Sequence, residues 1–234
     1  MSSYKSLKEE CLEANKALPG TGLVDITFGN VSVFDPDSGV FAIKPSGVDY
    51  NKLQVDDMVL EDLDGNVVEG SLRSSSDSPT HRYLFHAFDG IRSIVHTHSR
   101  FAVSFAQAAR EIPCLGTTHA DYFYGAVPVT RALHDDEIAA GYEWNTGKVI
   151  VERFSNISPL DIPAILVRHH GPFVWSTQSG AHAVETALAL EVVAQMALQT
   201  MAINPSVERI PSSVHNKHFL RKHGENAYYG QGNH

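Results

Sequence analysis

The sequence is poor in the features that most often announce a protein's chemistry. Its 234 residues include two cysteines, Cys11 and Cys114, and no CxxC pair. Neither a disulfide framework nor a thiolate zinc site is therefore expected. There is no GxGxxG fingerprint, no HExxH and no GxSxG nucleophile elbow, which removes the usual nucleotide, zinc-protease and serine-hydrolase readings. Gly141 to Lys148 imitates a P-loop, but five residues separate its glycines and Val149 stands where Ser or Thr is needed. Positive charge is short as well: 18 Lys and Arg against 27 Asp and Glu leave a net charge of −9. That balance argues against a nucleic-acid grip and leaves any anionic ligand to local donors. No apolar run approaches a membrane span on this reading. The charged, helix-patterned start from Met1 to Lys16 does not read as a signal peptide, so no membrane partner and a cytoplasmic location are expected.

What is present in quantity is histidine, 13 in all. His96-Thr97-His98 follows the apolar pair Ile94-Val95, and His170 stands before Gly171 far downstream. On a strand, side chains alternate with period two, which puts His96 and His98 on one face. Two imidazoles on one face, joined by a third and a carboxylate, suit a divalent transition metal. Asp77, within Ser74-Ser75-Ser76-Asp77-Ser78-Pro79-Thr80-His81, is the carboxylate candidate. His96 and His98 read equally as hydrogen-bonded strand residues on spacing alone.

At 43% hydrophobic and 19% charged residues, the chain reads as globular and long enough for one full core, residues 1–234 forming a single domain. A first helix is expected from Ser3 or Ser6 to Leu18, with Ser6-Leu7-Lys8-Glu9 as a capping box and Pro19-Gly20 as its stop. Strands are expected over Leu23–Phe28, Val31–Phe34, Val40–Lys44, Met58–Leu60 and Val67–Val68. Asp35 to Gly39 and Asp64-Gly65 would make two hairpins. Helices over Thr80–Phe88 and Ser99–Arg110 flank the His96 strand. Further strands are read at Val149–Val151, Ala164–Val167 and Phe173–Trp175, with helices at Ala181–Ala202 and His215–His223. The whole predicts an α/β domain with a largely antiparallel central sheet flanked by helices.

Three turn-forming segments are rich in small donors: Gly29-Asn30, Pro45-Ser46-Gly47 after Lys44, and Ser74-Ser75-Ser76. Glycine admits close backbone approach and serine adds hydroxyl donors, so together they can bind an oxyanion; singly, each reads as an ordinary turn. Thr117 to Gly125 packs His119, Asp121, Tyr122 and Tyr124 together. An aspartate among aromatics suits proton transfer near neutrality, though Asp121 also fits a helix or turn cap. The ending His223 to Gln231 carries Tyr228 and Tyr229 without an apolar helix to anchor them. They are read as structural, as an interface contact, or as a phenol reaching an active site.

Taken together, Phe28-Gly29-Asn30-Val31-Ser32, Ile43 to Val48, Ser75-Ser76-Asp77, Pro79-Thr80-His81 and Ile94 to Ser99 resemble the class II aldolase/epimerase family. So do Gly116 to Tyr122 and Leu220 through Gln231, and the order of all motifs is kept. The resemblance implies a class II aldolase-like fold and one divalent metal per subunit, Zn2+ first, with Mn2+ or Co2+ also suited. The metal would be held by His96, His98 and His170, with Asp77 as fourth ligand. Gly29, Asn30, Lys44, Ser46, Gly47, Ser75 and Ser76 fall on its substrate-phosphate loops. Asp121 and Tyr229 fall on its acid–base pair, contributed by a neighbouring subunit of a homotetramer, with His218 and Thr117 near the substrate. One departure is Arg168-His169-His170 where His-x-His is expected, so only the second histidine matches a ligand.

The activity implied is inversion at C4 of a pentulose phosphate, L-ribulose 5-phosphate to D-xylulose 5-phosphate, by a retro-aldol and aldol sequence in pentose catabolism. The alternative is a metal-dependent aldolase of the fuculose-phosphate type; such aldolases look to carry glutamate where this chain has Asp77. A non-catalytic sugar-phosphate binder and a zinc hydrolase are weaker, the latter for want of a glutamate base beside the histidines.

Overall fold

The computed structural model describes residues 4–224 together with Ala227 and Tyr228. Among these, seven strands form one antiparallel sheet in the order β4-β3-β2-β1-β5-β7-β6. They are β1 (Asn30–Asp35), β2 (Val40–Ile43), β3 (Val59–Asp62), β4 (Val67–Glu69), β5 (Ser93–His96), β6 (Ala164–Leu166) and β7 (Pro172–Ser176). The helices are α1 (Lys5–Thr21), α2 (Ser78–Ala87), α3 (Arg100–Gln107), α4 (Thr117–Ala120), α5 (Asp135–Arg153), α6 (Gly180–Ile203) and α7 (Ser212–His223). The expected α/β architecture and both hairpins are present.

The inner strands β2, β5 and β7 are buried at every residue, so both faces of the sheet must be covered. Val33 and Phe34 are neighbours on β1 and therefore face opposite ways. On the Val33 side, Gly180 of α6 lies so close that an added Cβ would sit 2.7 Å from Ala14 and 3.2 Å from Val33. On the Phe34 side, Phe85 of α2 stacks on Phe34 at 4.9 Å and packs on Phe41 at 5.5 Å.

Strand β1 and helix α2 run in step. Asn30, Ser32 and Phe34 share a face, about 6.8 Å apart along the strand. Asp77, His81 and Phe85 share a face of the helix start, about 6 Å apart. The pairs meet in order: Asn30 Nδ2 donates to Asp77 Oδ2 at 2.7 Å, Ser32 Oγ meets His81 Nδ1 at 2.7 Å, and Phe34 stacks on Phe85. Two unequal repeats that nearly coincide over three steps thus place Asp77 at the open end of the sheet.

Four expectations are corrected. Residues 149–151 are not a strand but the end of α5, whose earlier turns kink at Gly141 (φ 148°, ψ 90°). Packing explains this: Gly147 lets α5 approach Tyr83 of α2, where a Cβ would lie 2.6 Å from the Tyr83 side chain. Residues 23–28 form turns rather than a strand, with Ile26 at φ 58°. Helix α1 runs through Pro19 to Gly22, whose φ of 75° ends it, and its start shows no side-chain cap. Finally, α6 spans 24 residues and by length and composition alone could cross a bilayer. Here Ala183, Val184, Ala187, Leu190 and Val193 of α6 are buried in the common core.

Candidate metal and anion site

The three histidines come together from different elements at one end of the sheet. His96 ends β5, paired in register with Asn30 of β1 and Phe173 of β7. His98 lies two residues past the strand end rather than within it, and His170 sits in the turn between β6 and β7. One ligand nitrogen from each lies within 4.8 Å of the others. Four ligands around a zinc-sized ion sit about 3.4 Å from one another, so the trio is close to the spacing a cation needs.

The surroundings settle the proton placement. His96 Nδ1 lies 3.0 Å from the Pro172 carbonyl, and a carbonyl only accepts, so Nδ1 carries the hydrogen and Nε2 presents its lone pair. That Nε2 stands 3.1 Å from His98 Nε2. His170 Nδ1 is 3.2 Å from the Tyr142 hydroxyl, just past the Gly141 kink. Behind them, Phe173 stacks on His96 at 4.3 Å.

Burial, and then repulsion from His96, push His170 down to about 3 and lower His98. Neutral imidazoles are what a metal requires. Burial opposes ionisation of Asp77, but His96, His81, His170 and the Asn30 amide outweigh it and hold the carboxyl below its ordinary value. Three imidazole nitrogens facing one carboxylate fit a divalent cation. The Asn30 Oδ1 atom is buried with no protein partner, a further acceptor at the same place.

The predicted anion loops line the same cavity of about 310 Å³ as these four residues: Gly29-Asn30, Lys44 to Gly47, and Ser75-Ser76. Gly29 has φ 80°, and a Cβ there would lie 2.8 Å from the His96 carbonyl oxygen, so the loop packs directly on the histidine strand. Tyr50 donates to both the Phe28 and Gly29 carbonyls at 2.8 Å, tying the loop down. Lys44 is only 2% exposed, its Nζ 4.8 Å above the Tyr50 ring. Burial lowers its pKa, with Asp49 opposing. A cation held in such surroundings attracts an anion strongly.

The acid–base candidates are elsewhere. Asp121 caps α4 and lines a second cavity of about 340 Å³ with His182, Glu185 and Lys222, sharing no lining residue with the first. Its setting differs from the aromatic one expected: Arg221 and His218 of α7 both bond its carboxylate. Thr117 is exposed at the start of α4. Tyr229 lies outside the described residues. Reading the sequence missed Tyr142 and Arg221. His218 and Arg221, three apart on one helix face, could have been paired; Tyr142 carried no local signal.

His119, two residues before Asp121, supports a test of stability. Burial pushes its imidazole down to about 4, with its Nε2 bonded to the Gly125 carbonyl at 2.7 Å opposing and His215 assisting. Below pH 6.5 the unfolded chain binds a proton that the folded chain refuses. The stabilisation is therefore complete above 6.5 and is lost as pH falls towards 4. Between pH 7 and 5, urea unfolding of the natural protein should lose about 2 kcal/mol more than that of His119→Gln, which keeps a donor but does not titrate. Equal losses in both proteins would refute this role.

Residues 9–198 match the family model described as Class II Aldolase and Adducin N-terminal domain. An L-ribulose-5-phosphate 4-epimerase UlaF of Salmonella paratyphi C (strain RKS4594) is 51% identical over 97% of this chain and 99% of its own length. The L-ribulose-5-phosphate 4-epimerase UlaF of Salmonella typhi matches to the same extent. Among solved structures, an L-fuculose 1-phosphate aldolase superposes with a TM-score of 0.76 at 26% identity, over 93% of this chain and 95% of that one. YgbL of Klebsiella pneumoniae, a putative aldolase/epimerase/decarboxylase, shares the fold with a TM-score of 0.71 at 22% identity, over 93% and 99% of the two chains. The family model extends from α1 into α6 and takes in the histidine cavity and its anion loops, and the chain belongs to the class II aldolase family.

Proposed function

We propose that this chain is a metal-dependent L-ribulose-5-phosphate 4-epimerase, interconverting L-ribulose 5-phosphate and D-xylulose 5-phosphate. The observation that carries the reading is one cavity lined by His96, His98, His170 and Asp77 together with the Gly29-Asn30, Lys44 to Gly47 and Ser75-Ser76 segments. The 51% identity to epimerases over nearly the whole chain favours this over the aldolase reading. So does Asp77, whose side chain is shorter than the glutamate expected of such aldolases.

His96, His98 and His170, with Asp77, would hold one divalent cation, Zn2+ first, with Mn2+ and Co2+ accepted by the same donors. Bound there, it supplies Lewis-acid polarisation of the substrate ketone. The C4 hydrogen is not acidic, so inversion needs the C3–C4 bond to break and re-form. Lys44, Ser46, Gly47, Ser75 and Ser76 hold the phosphate, retaining glycolaldehyde phosphate while its carbonyl turns over. Asp121 and Tyr229 serve the two faces, one taking the proton of the C4 hydroxyl as the bond breaks, the other returning a proton to C4–O as it re-forms. His218 and Thr117 flank them.

In this reading the acid–base pair acts in the site of an adjacent subunit of a cytoplasmic homotetramer, and the separate cavities lined by Asp121 and by the histidines are compatible with that sharing. The test is metal-loaded protein given L-ribulose 5-phosphate, with and without a chelator. D-Xylulose 5-phosphate that disappears with chelation supports the reading. Accumulating glycolaldehyde phosphate without xylulose product would make the protein a lyase, and no turnover with full metal would discard the substrate.

A further inference from the structure

Helix α7 is bound to the segment carrying Asp121 along its whole length. His215 Nε2 meets the Phe123 carbonyl at 3.0 Å, and the Tyr124 hydroxyl donates to Asn216 Oδ1 at 2.8 Å. His218 Nδ1 reaches Asp121 Oδ1 at 3.1 Å, and His223 Nε2 reaches the Asp121 backbone carbonyl at 2.9 Å. At the centre of this row, Arg221 grips the carboxylate with a fork. Its Nε and Nη2 donate to Oδ1 at 3.1 and 3.0 Å, and Nη2 also donates to Oδ2 at 2.8 Å. Both side chains are mostly buried, 23% and 14% exposed, so the pair is neither a surface contact nor freely hydrated.

Arg221 has a second attachment. Its carbonyl accepts from the Tyr228 amide at 2.9 Å, after the chain leaves α7 at Gly224. One residue thus holds the Asp121 carboxylate with its side chain and the Tyr228 amide with its backbone.

We propose that Arg221 is the positioning residue of Asp121, fixing the place and plane of its carboxylate for proton transfer. The inference rests on the reading of Asp121 given above. Proton transfer needs donor and acceptor within hydrogen-bond reach of the C4 oxygen, and a misplacement of about 1 Å costs about 10²-fold in rate. A guanidinium fork fixes both the place and the plane of a carboxylate, which a lysine ammonium does not.

The experiment compares Arg221→Met, Arg221→Lys, Asp121→Asn and the Asp121→Asn/Arg221→Met double variant, each assayed for kcat, KM, bound metal and assembly size. The expected result is a kcat about 10²-fold lower in Arg221→Met, with KM changed little and metal and assembly unchanged. Arg221→Lys should fall between, and in the Asp121→Asn background the Met substitution should add little, since residues acting as a unit are not additive. The inference is overturned if the Met substitution multiplies the Asp121→Asn defect by its full single-variant factor, or if only KM moves. Should Arg221→Met fail to fold, the same cycle run with Arg221→Lys decides in the same way. Full activity in Asp121→Asn alone would remove the role of Asp121, and the inference with it, whereas no epimerisation by the natural protein would discard the functional reading itself.

Discussion

Replacing His98 with alanine is expected to strip the protein of its metal and to slow turnover about 10³-fold or more, the loss of several kcal/mol of charge stabilisation. His98 is the cleanest of the three to remove. His96 is buried, bonded to Pro172 and stacked on Phe173, so its loss would also open a hole in the core. His98 is exposed, lies past the end of β5 and packs on the half-exposed ring of Phe28 at 5.8 Å. The fold should therefore survive with a melting temperature close to the natural one in metal-free buffer. Elemental analysis of metal per chain, beside the rate, checks this. Full metal occupancy with undiminished turnover would show that the nitrogen cluster is not the site.

Asp121→Asn should lower kcat by about 10²- to 10⁴-fold, the usual worth of a positioned proton carrier, while metal content stays at one per chain. The change is nearly isosteric, and the amide oxygen can still accept from Arg221, so the anchoring of α7 is largely kept. What is lost is the capacity to take up a proton. The separation of the two cavities makes the metal measurement decisive. Asp121 lines none of the wall around His96, His98 and His170, so a variant that loses its metal would contradict the assigned role.

The clustering of the candidate residues was legible because they lie in short contiguous runs. His96-Thr97-His98 and Ser75-Ser76-Asp77 each bring several donors to one place. The matching repeats of β1 and α2 then carry Asn30, Asp77 and His81 together without any long-range cue. The period-two argument for His98 reached the right neighbour by an incomplete route, since β5 ends at His96 and the next turn swings the second imidazole round. The misreadings are of another kind. Val149, Ile150 and Val151 favour a strand by local preference, but α5 packs on α2 through Gly147, Trp144 and Thr80, and that contact overrules it. Leu23 to Phe28 reads as a strand as well, yet Tyr50 holds the carbonyls of Phe28 and Gly29 in a turn from more than twenty residues away. The Arg221 fork spans 100 residues of sequence, and no window of local pattern contains both of its ends.

The two separate cavities have a consequence in genetics. If each catalytic centre draws its nitrogens from one polypeptide and its proton carriers from the next, a defect in one half does not poison the other half of the same molecule. Two alleles, one damaged at His98 and one at Asp121, would each be null alone. Expressed in one cell, or unfolded and reassembled in one tube, they would form mosaics in which a minority of junctions pair an intact histidine cluster with an intact aspartate. Activity would reappear from two dead parents.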